Sequence, residues 1–336
     1  MSADIEKNNE NTIHVTTGAP FGERKGLRII FMGTPEFAVA SLKKLVETGC
    51  HIVGVVTAPD KAAGRGLQLQ QSAVKKYAVE NGLKLLQPEK LKDPSFLHQL
   101  EALNADLQVV VAFRMLPERV WKMPPLGTVN LHGSLLPQYR GAAPINWAII
   151  NGEKETGLTT FRLQHEIDTG NILLSEKLSI GDDETAGELH DRMKETGADL
   201  LLKTIIGIGE GSLKELPQQQ AGAHSQAVLK HAPKIITETC KIDWSRPVAE
   251  VHDLIRGLSP YPGAFTHFND KTLKIYKARR IDGSEPPGAL KTGEYQTDQK
   301  TYLHFACPDG YIAVTELQLE GKKKMNVEAF LRGYRF

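Results

Sequence analysis

Four short apolar runs constrain this chain more than any other feature. Residues 27–31 (LRIIF), 51–57 (HIVGVVT), 106–113 (DLQVVVAF) and 127–131 (GTVNL) are short runs in which apolar residues are interrupted by few polar ones. A strand with one wet face alternates apolar and polar residues. A strand apolar on both faces must be covered on both. These runs therefore predict a central parallel sheet between helices. After the first run, Met32-Gly33-Thr34 turns the chain and Pro35 suits a first helical turn. Phe37, Ala40, Ser41, Leu42, Leu45 and Val46 then keep helical spacing up to Gly49. Strand, helix, strand opens a doubly wound α/β fold. Further helices are expected over 72–81 behind a Ser72 cap, over 94–103 behind Asp93, and over 144–151 and 184–206. Strands are expected over 83–86, 156–163 and 171–180.

The fourth run leads into the stretch 129–141, VNLHGSLLPQYRG. Side chains alternate along a strand, so Asn130 and His132 share a face at its carboxyl end, where open α/β sheets bind ligands. A lone His there is commonly just hydrogen-bonded. Here a second strand–loop junction, Ile167-Asp168-Thr169-Gly170, adds a carboxylate. An amide, an imidazole and a carboxylate from two strand ends suit stabilisation of an oxyanion and movement of a proton. Gly33 invites a dinucleotide reading, but no G-x-G-x-x-G accompanies it.

The second half has a different texture. Residues 212–231 are rich in Gln and Ala without apolar period, as in a linker. Beyond them, short alternating segments over 272–280, 302–306 and 311–319 fit a small five-stranded barrel of the OB type. With 336 residues, two domains are expected, over 27–211 and 233–336, joined by 212–232 and preceded by a disordered extension over 1–26. Net charge is only +1, so any nucleic-acid partner must be held by local patches. Candidates are Lys274, Lys277, Arg279 and Arg280, the run Lys322-Lys323-Lys324, and a glycine-bearing loop over 58–71 carrying Lys61 and Arg65. Cys50, Cys240 and Cys307 show neither disulfide framework nor metal spacing, which points to a reducing cytoplasm, and no apolar run has transmembrane length.

The motifs NLHGSLLPQYRGAAP and IDTG resemble those of the folate-dependent formyltransferase superfamily. The GTPEFA opening, the AGRG loop around Arg65, the APKIITETCKIDW segment and the FLRGYRF end resemble, within it, the methionyl-tRNA formyltransferases. This resemblance spans 27–336 and implies formyl transfer from 10-formyltetrahydrofolate to the amine of methionine on initiator tRNA. It implies Asn130, His132 and Asp168 as catalytic residues, with Asp168 holding His132 protonated. It implies Ser134, Leu135, Leu136 and Pro137 beside the pterin ring, with a core role as the alternative for Leu135 and Leu136. Arg65 and Lys61 would reach the tRNA from the loop, and Lys274, Lys277, Arg279 and Arg280 from the barrel. No metal, membrane or obligate protein partner is expected. A sugar-nucleotide N-formyltransferase, a formyltetrahydrofolate hydrolase and a non-catalytic tRNA-binding module are the competing readings.

Overall fold

The computed structural model describes residues 26–63, 68–166, 168–221, 228–283 and 290–334. Most of the expected 1–26 extension, and Arg65 of the basic loop, lie outside the described residues. The chain opens with β1 (Ile29–Gly33), α1 (Glu36–Glu47), β2 (Ile52–Val56), a short hairpin of β3 (Lys61–Ala63) and β4 (Gln68–Gln70), and α2 (Ala73–Glu80). It continues with β5 (Leu85–Leu86), α3 (Pro94–Glu101), β6 (Leu107–Val111), α4 (Glu118–Trp121), β7 (Thr128–His132) and β8 (Arg140–Gly141). Then come α5 (Pro144–Ile150), β9 (Glu155–Arg162), β10 (Ile172–Ser179) and the 25-residue α6 (Ala186–Glu210). The helix starts have local causes. Ser72 Oγ accepts from Lys75 N at 3.0 Å, and Asp93 Oδ1 from Ser95 N at 2.8 Å, each satisfying an otherwise orphaned N–H.

The main sheet has the order β10-β9-β7-β6-β1-β2-β5. β1, β2, β5, β6 and β7 are parallel, while β9 is antiparallel to β7 and β10 to β9. The chain leaves β1 for β2 and β5 on one side, then returns to β6 on the other. That reversal opens a crevice at the carboxyl ends of β1 and β6. Phe31, Leu42, Val109, Val129, Leu158 and Leu201 are buried in the core beneath it. Each such side chain contributes about 1.5–3 kcal/mol.

The second unit follows α7 (Gln218–Ala221) and β11 (His231–Ala232). It comprises α8 (Val248–Gly257), β12 (Ala264–Phe268), β13 (Lys271–Asp282), β14 (Tyr295–Thr297), β15 (Leu303–Cys307), β16 (Gly310–Leu319), β17 (Met325–Asn326) and α9 (Val327–Gly333). Its strands form an antiparallel half-barrel in the order β12-β13-β16-β15-β14, with β17 beside β16. Val251 and Ile255 of α8 and Phe330 of α9 pack with Phe268, Leu273 and Phe305 in a core of its own. The register of β13 on β16 shifts between Ile275 and Ala278, the kind of irregularity that bends a sheet.

Specific polar contacts join the units. Asn146 Nδ2 donates to Gly257 O at 2.7 Å, and Gly187 N to Ser259 O at 3.0 Å. Buried Arg256 donates to the carbonyls of Gly181 and Glu184 while paired with Asp253. At the start of α6, Thr185 and Glu188 form a capping box, and Lys277 of β13 pairs with Glu188 at 2.9 Å.

The Thr185 backbone N–H, and then the Lys277 ammonium, hold the Glu188 carboxyl down at about 2. A depressed folded-state pKa adds stability above the unfolded value and loses it as pH falls toward the folded one. Glu188→Gln is therefore expected to be less stable than wild type at neutral pH. The gap should shrink as pH falls from 4.5 toward about 2. Urea midpoints measured across that window check this; a gap that ignores pH would refute it.

Candidate active site

A cleft of about 740 Å³ opens where β1, β6 and β7 end. Val110, Phe113, Met115, Leu116, Trp121 and Leu163 supply its apolar wall, and Asn130, His132 and Asp168 its polar end. Asn130, Leu131 and His132 of β7 all line it, Leu131 being also part of the core. Among the described residues none hydrogen-bonds the Asn130 side chain, so its amide is available to a ligand.

His132 is 6% exposed and its Nε2 lies 2.9 Å from the Tyr139 carbonyl oxygen. A carbonyl only accepts, so Nε2 carries a proton and the ring's other nitrogen, Nδ1, is left for the cleft. Asp168 Oδ2 stands 4.0 Å from Nδ1, beyond hydrogen-bond length. The same oxygen accepts from Gly141 N at 3.1 Å. Asp168 is 9% exposed and has φ +54. A left-handed residue costs of order 1–3 kcal/mol, less for Asp than for most. The bond to its carboxylate is worth about 1.5–3 kcal/mol, and bonds to its main chain about 1 kcal/mol each, so the conformation is held.

The loop that brings Tyr139 back to His132 is built inward. Ser134 Oγ donates to Gln138 O at 2.6 Å. Thr159 Oγ1 donates to Ser134 O at 2.7 Å and accepts from Leu136 N at 3.1 Å. Leu136 is buried with Phe161 and Ile172, and Leu135 lies against Gly157. Ser134, Leu135, Leu136 and Pro137, expected beside a ligand ring, are not among the residues that line this cleft. Ser134 and Leu136 anchor the loop under β9, and a main-chain carbonyl reaches the imidazole. The apolar wall comes from the turn after β6, and its sequence signal was the run 113–117 (FRMLP) at that strand's carboxyl end.

The segment between the units grips this loop from outside. Tyr139 N donates to Lys230 O at 2.7 Å, and β11 pairs in parallel with β8. Tyr139 Oη donates to Glu153 Oε1 at 2.5 Å, and Lys230 Nζ reaches the same oxygen at 2.7 Å. Burial, then the Glu153 hydrogen bond, pushes the Tyr139 phenol up. Burial alone would push the Glu153 carboxyl up as well, but the bonds from Lys230 and Tyr139 bring it below its ordinary value. Gln218, in a run with no distinguishing signal, is buried with its amide on the Asp168 loop.

The remaining candidates are dispersed. The Arg114 guanidinium caps the carbonyls of Glu89, at 2.8 Å, and Pro88 on the cleft rim. His165 is exposed, 3.9 Å from Glu118. Lys61 is exposed on the β3–β4 hairpin. On β13, Lys274 donates to Pro262 O and Lys277 is paired with Glu188, whereas Arg279 and Arg280 are exposed, Arg280 3.3 Å from Asp282.

Residues 27–205 match the family described as Formyl transferase, and 234–335 match Formyl transferase, C-terminal domain. The chain is 50% identical to the methionyl-tRNA formyltransferase of Bacteroides fragilis over 93% of its own length and 96% of that protein's. It is 54% identical to that of Phocaeicola vulgatus, covering 93% and 97%. Among solved structures, it superposes on the sugar 3N-formyl transferase WlaRD with a TM-score of 0.63 at 21% identity, covering 88% of this chain and 99% of that one. At that identity the likeness is one of fold.

Gly141 has φ +126, and a Cβ there would lie 2.4 Å from the Ala232 carbonyl oxygen. Gly141→Ala is expected to cost about 1–3 kcal/mol by urea denaturation. That should exceed Gly82→Ala, where φ is +63 but a Cβ meets open space. Equal losses would mean that β11 does not press on the loop.

Proposed function

The chain belongs to the formyl transferase family, and we propose that it moves the formyl group of 10-formyltetrahydrofolate onto the free amino group of methionine carried by initiator tRNA. The observation that carries this reading is the meeting of Asn130, His132 Nδ1 and Asp168 at the polar end of an apolar cleft. Relatives at about half identity over nearly the whole chain are named methionyl-tRNA formyltransferases. The cleft fits the donor: its apolar wall suits a flat ring system, with the polar residues at one end. The folate supplies the formyl group, attached through nitrogen.

The chemistry is acyl transfer. The free amine attacks the formyl carbon, a new C–N bond forms, and negative charge grows on the formyl oxygen. The Asn130 amide and a proton on His132 Nδ1 donate to that oxygen. Because Nε2 is committed to the Tyr139 carbonyl, the ring cannot turn its other edge to the cleft. As the bond to the folate nitrogen breaks, that nitrogen takes up a proton and the attacking amine gives one up. Asp168, whose Oδ2 stands 4.0 Å from Nδ1 and is not hydrogen-bonded to it, accepts the amine's proton, directly or through a water. Each oxyanion donor supplies about 2.7–4 kcal/mol.

The tRNA is met by surface charge. Exposed Arg279 and Arg280, with Lys61 on the hairpin, suit phosphate contacts. Lys274 and Lys277 have internal partners and serve the fold first. Charged tRNA as substrate sets the reaction in the cytoplasm. Among the described residues no helix is long and apolar enough to cross a membrane.

Formyl transfer from 10-formyltetrahydrofolate to charged initiator tRNA tests the assignment. Asn130→Ala and His132→Ala are each expected to lower kcat by about 100- to 1,000-fold. Asp168→Asn is expected to lower it by about 100- to 10,000-fold. Wild type that ignores Met-tRNA but formylates an amino-sugar nucleotide would overturn the substrate. In the same assay, the double change Arg279→Ala, Arg280→Ala should raise KM for tRNA and leave KM for the folate unchanged. It should reduce the slope of log affinity against log salt by up to about 2. An unchanged slope would remove these arginines from the interface.

A further inference from the structure

We propose that Gln218, which lies outside both the sheet and the cleft, is a positioning residue for the Asp168 carboxylate, so that the segment between the two units completes the site. The inference deepens the formyl-transfer reading and rests on it. Gln218 opens α7, is 2% exposed, and uses both ends of its amide. Nε2 donates to the carbonyls of Asp168 and Gly170, each at 2.8 Å. Oε1 accepts from Arg140 Nη2 at 2.5 Å and Nε at 3.1 Å. The two carbonyls bracket the turn in which Asp168 adopts φ +54. Arg140 immediately precedes Gly141, whose N–H is bonded to Asp168 Oδ2. One side chain therefore ties together the two loops that set where the carboxylate stands against His132 Nδ1.

The surroundings demand an amide. Two carbonyl oxygens on one side require two N–H donors, and a guanidinium on the other requires an acceptor. Of the side chains of this length, only glutamine meets both. Its neighbours Gln219 and Gln220 are exposed, so the position rather than the composition matters. The approach to Gln218 is anchored too. Leu216 exchanges two main-chain hydrogen bonds with Ile172, at 2.8 and 2.9 Å. Glu215 holds Arg162 at 2.8 Å and Asn171 at 3.0 Å. The segment thus reaches Asp168 already fixed on β9 and β10.

The test is full-length enzyme in the formyl-transfer assay across pH, with wild type, Gln218→Ala and Gln218→Glu. Glutamate keeps the shape and the acceptor for Arg140 but cannot donate to the two carbonyls. We expect both variants to lose kcat by up to about 100-fold, as when a reacting group is misplaced by about 1 Å. KM for the folate and for tRNA should stay close to wild type, and the pH limb reporting the His132–Asp168 pair should move. A residue that merely fills space would be rescued by glutamate. Gln218→Glu with wild-type kcat and pH profile would overturn the proposal, and it decides the matter if Gln218→Ala does not fold. Wild type inactive on Met-tRNA would instead bring down the functional reading beneath it.

Discussion

A single hydrogen bond, from His132 Nε2 to the carbonyl of Tyr139, organises the working end of this molecule. Because a carbonyl can only accept, the bond selects which imidazole nitrogen faces the cleft. To place that carbonyl seven residues downstream of the ring, the chain must double back tightly. Ser134, Leu136 and Thr159 hold the returning loop from within, and Lys230, His231 and Ala232 hold it from outside. The loop's sequence, apolar where a solvated loop would be polar, follows from that demand. Tyr139, at φ +58, accepts an unfavourable backbone conformation to present its oxygen.

What was legible in the sequence was whatever depends on local pattern. The apolar runs became the buried strands of a mostly parallel sheet, and Ser72 and Asp93 capped the helices they precede. Asn130 and His132, two apart at the end of a strand, both line the cleft. What was not legible depends on contacts distant in sequence. The Leu135-Leu136 pair has both a ligand-wall and a core reading in the sequence, and the packing of Leu136 against Phe161 and Ile172 comes only with the fold. Gln218 sits among three glutamines with no local mark, and its meaning comes from Asp168, fifty residues away. Lys277 looks like part of a basic patch until Glu188, on another unit, is seen beside it.

The two units are joined by specific groups rather than by proximity alone. Buried Arg256 feeds carbonyls in the turn before α6, Lys277 completes that helix's cap, and Asn146 reaches across to Gly257. A guanidinium with several acceptors and a nearby carboxylate is among the few ways to bury a cation without a large penalty. These contacts join the cleft-bearing unit and the antiparallel half-barrel through named side chains on both.

Met115 stands at the lip of the cleft with 72% of its surface in water, beside Phe113 and Leu116. A thioether side chain so placed is adaptable and wetted at once. Hydration of apolar surface is recorded most faithfully in heat capacity. A ring system that slid under Met115 would release that water, and its binding would carry a negative heat-capacity change. The apparent enthalpy of binding would then grow more favourable with temperature, while the affinity itself would change far less.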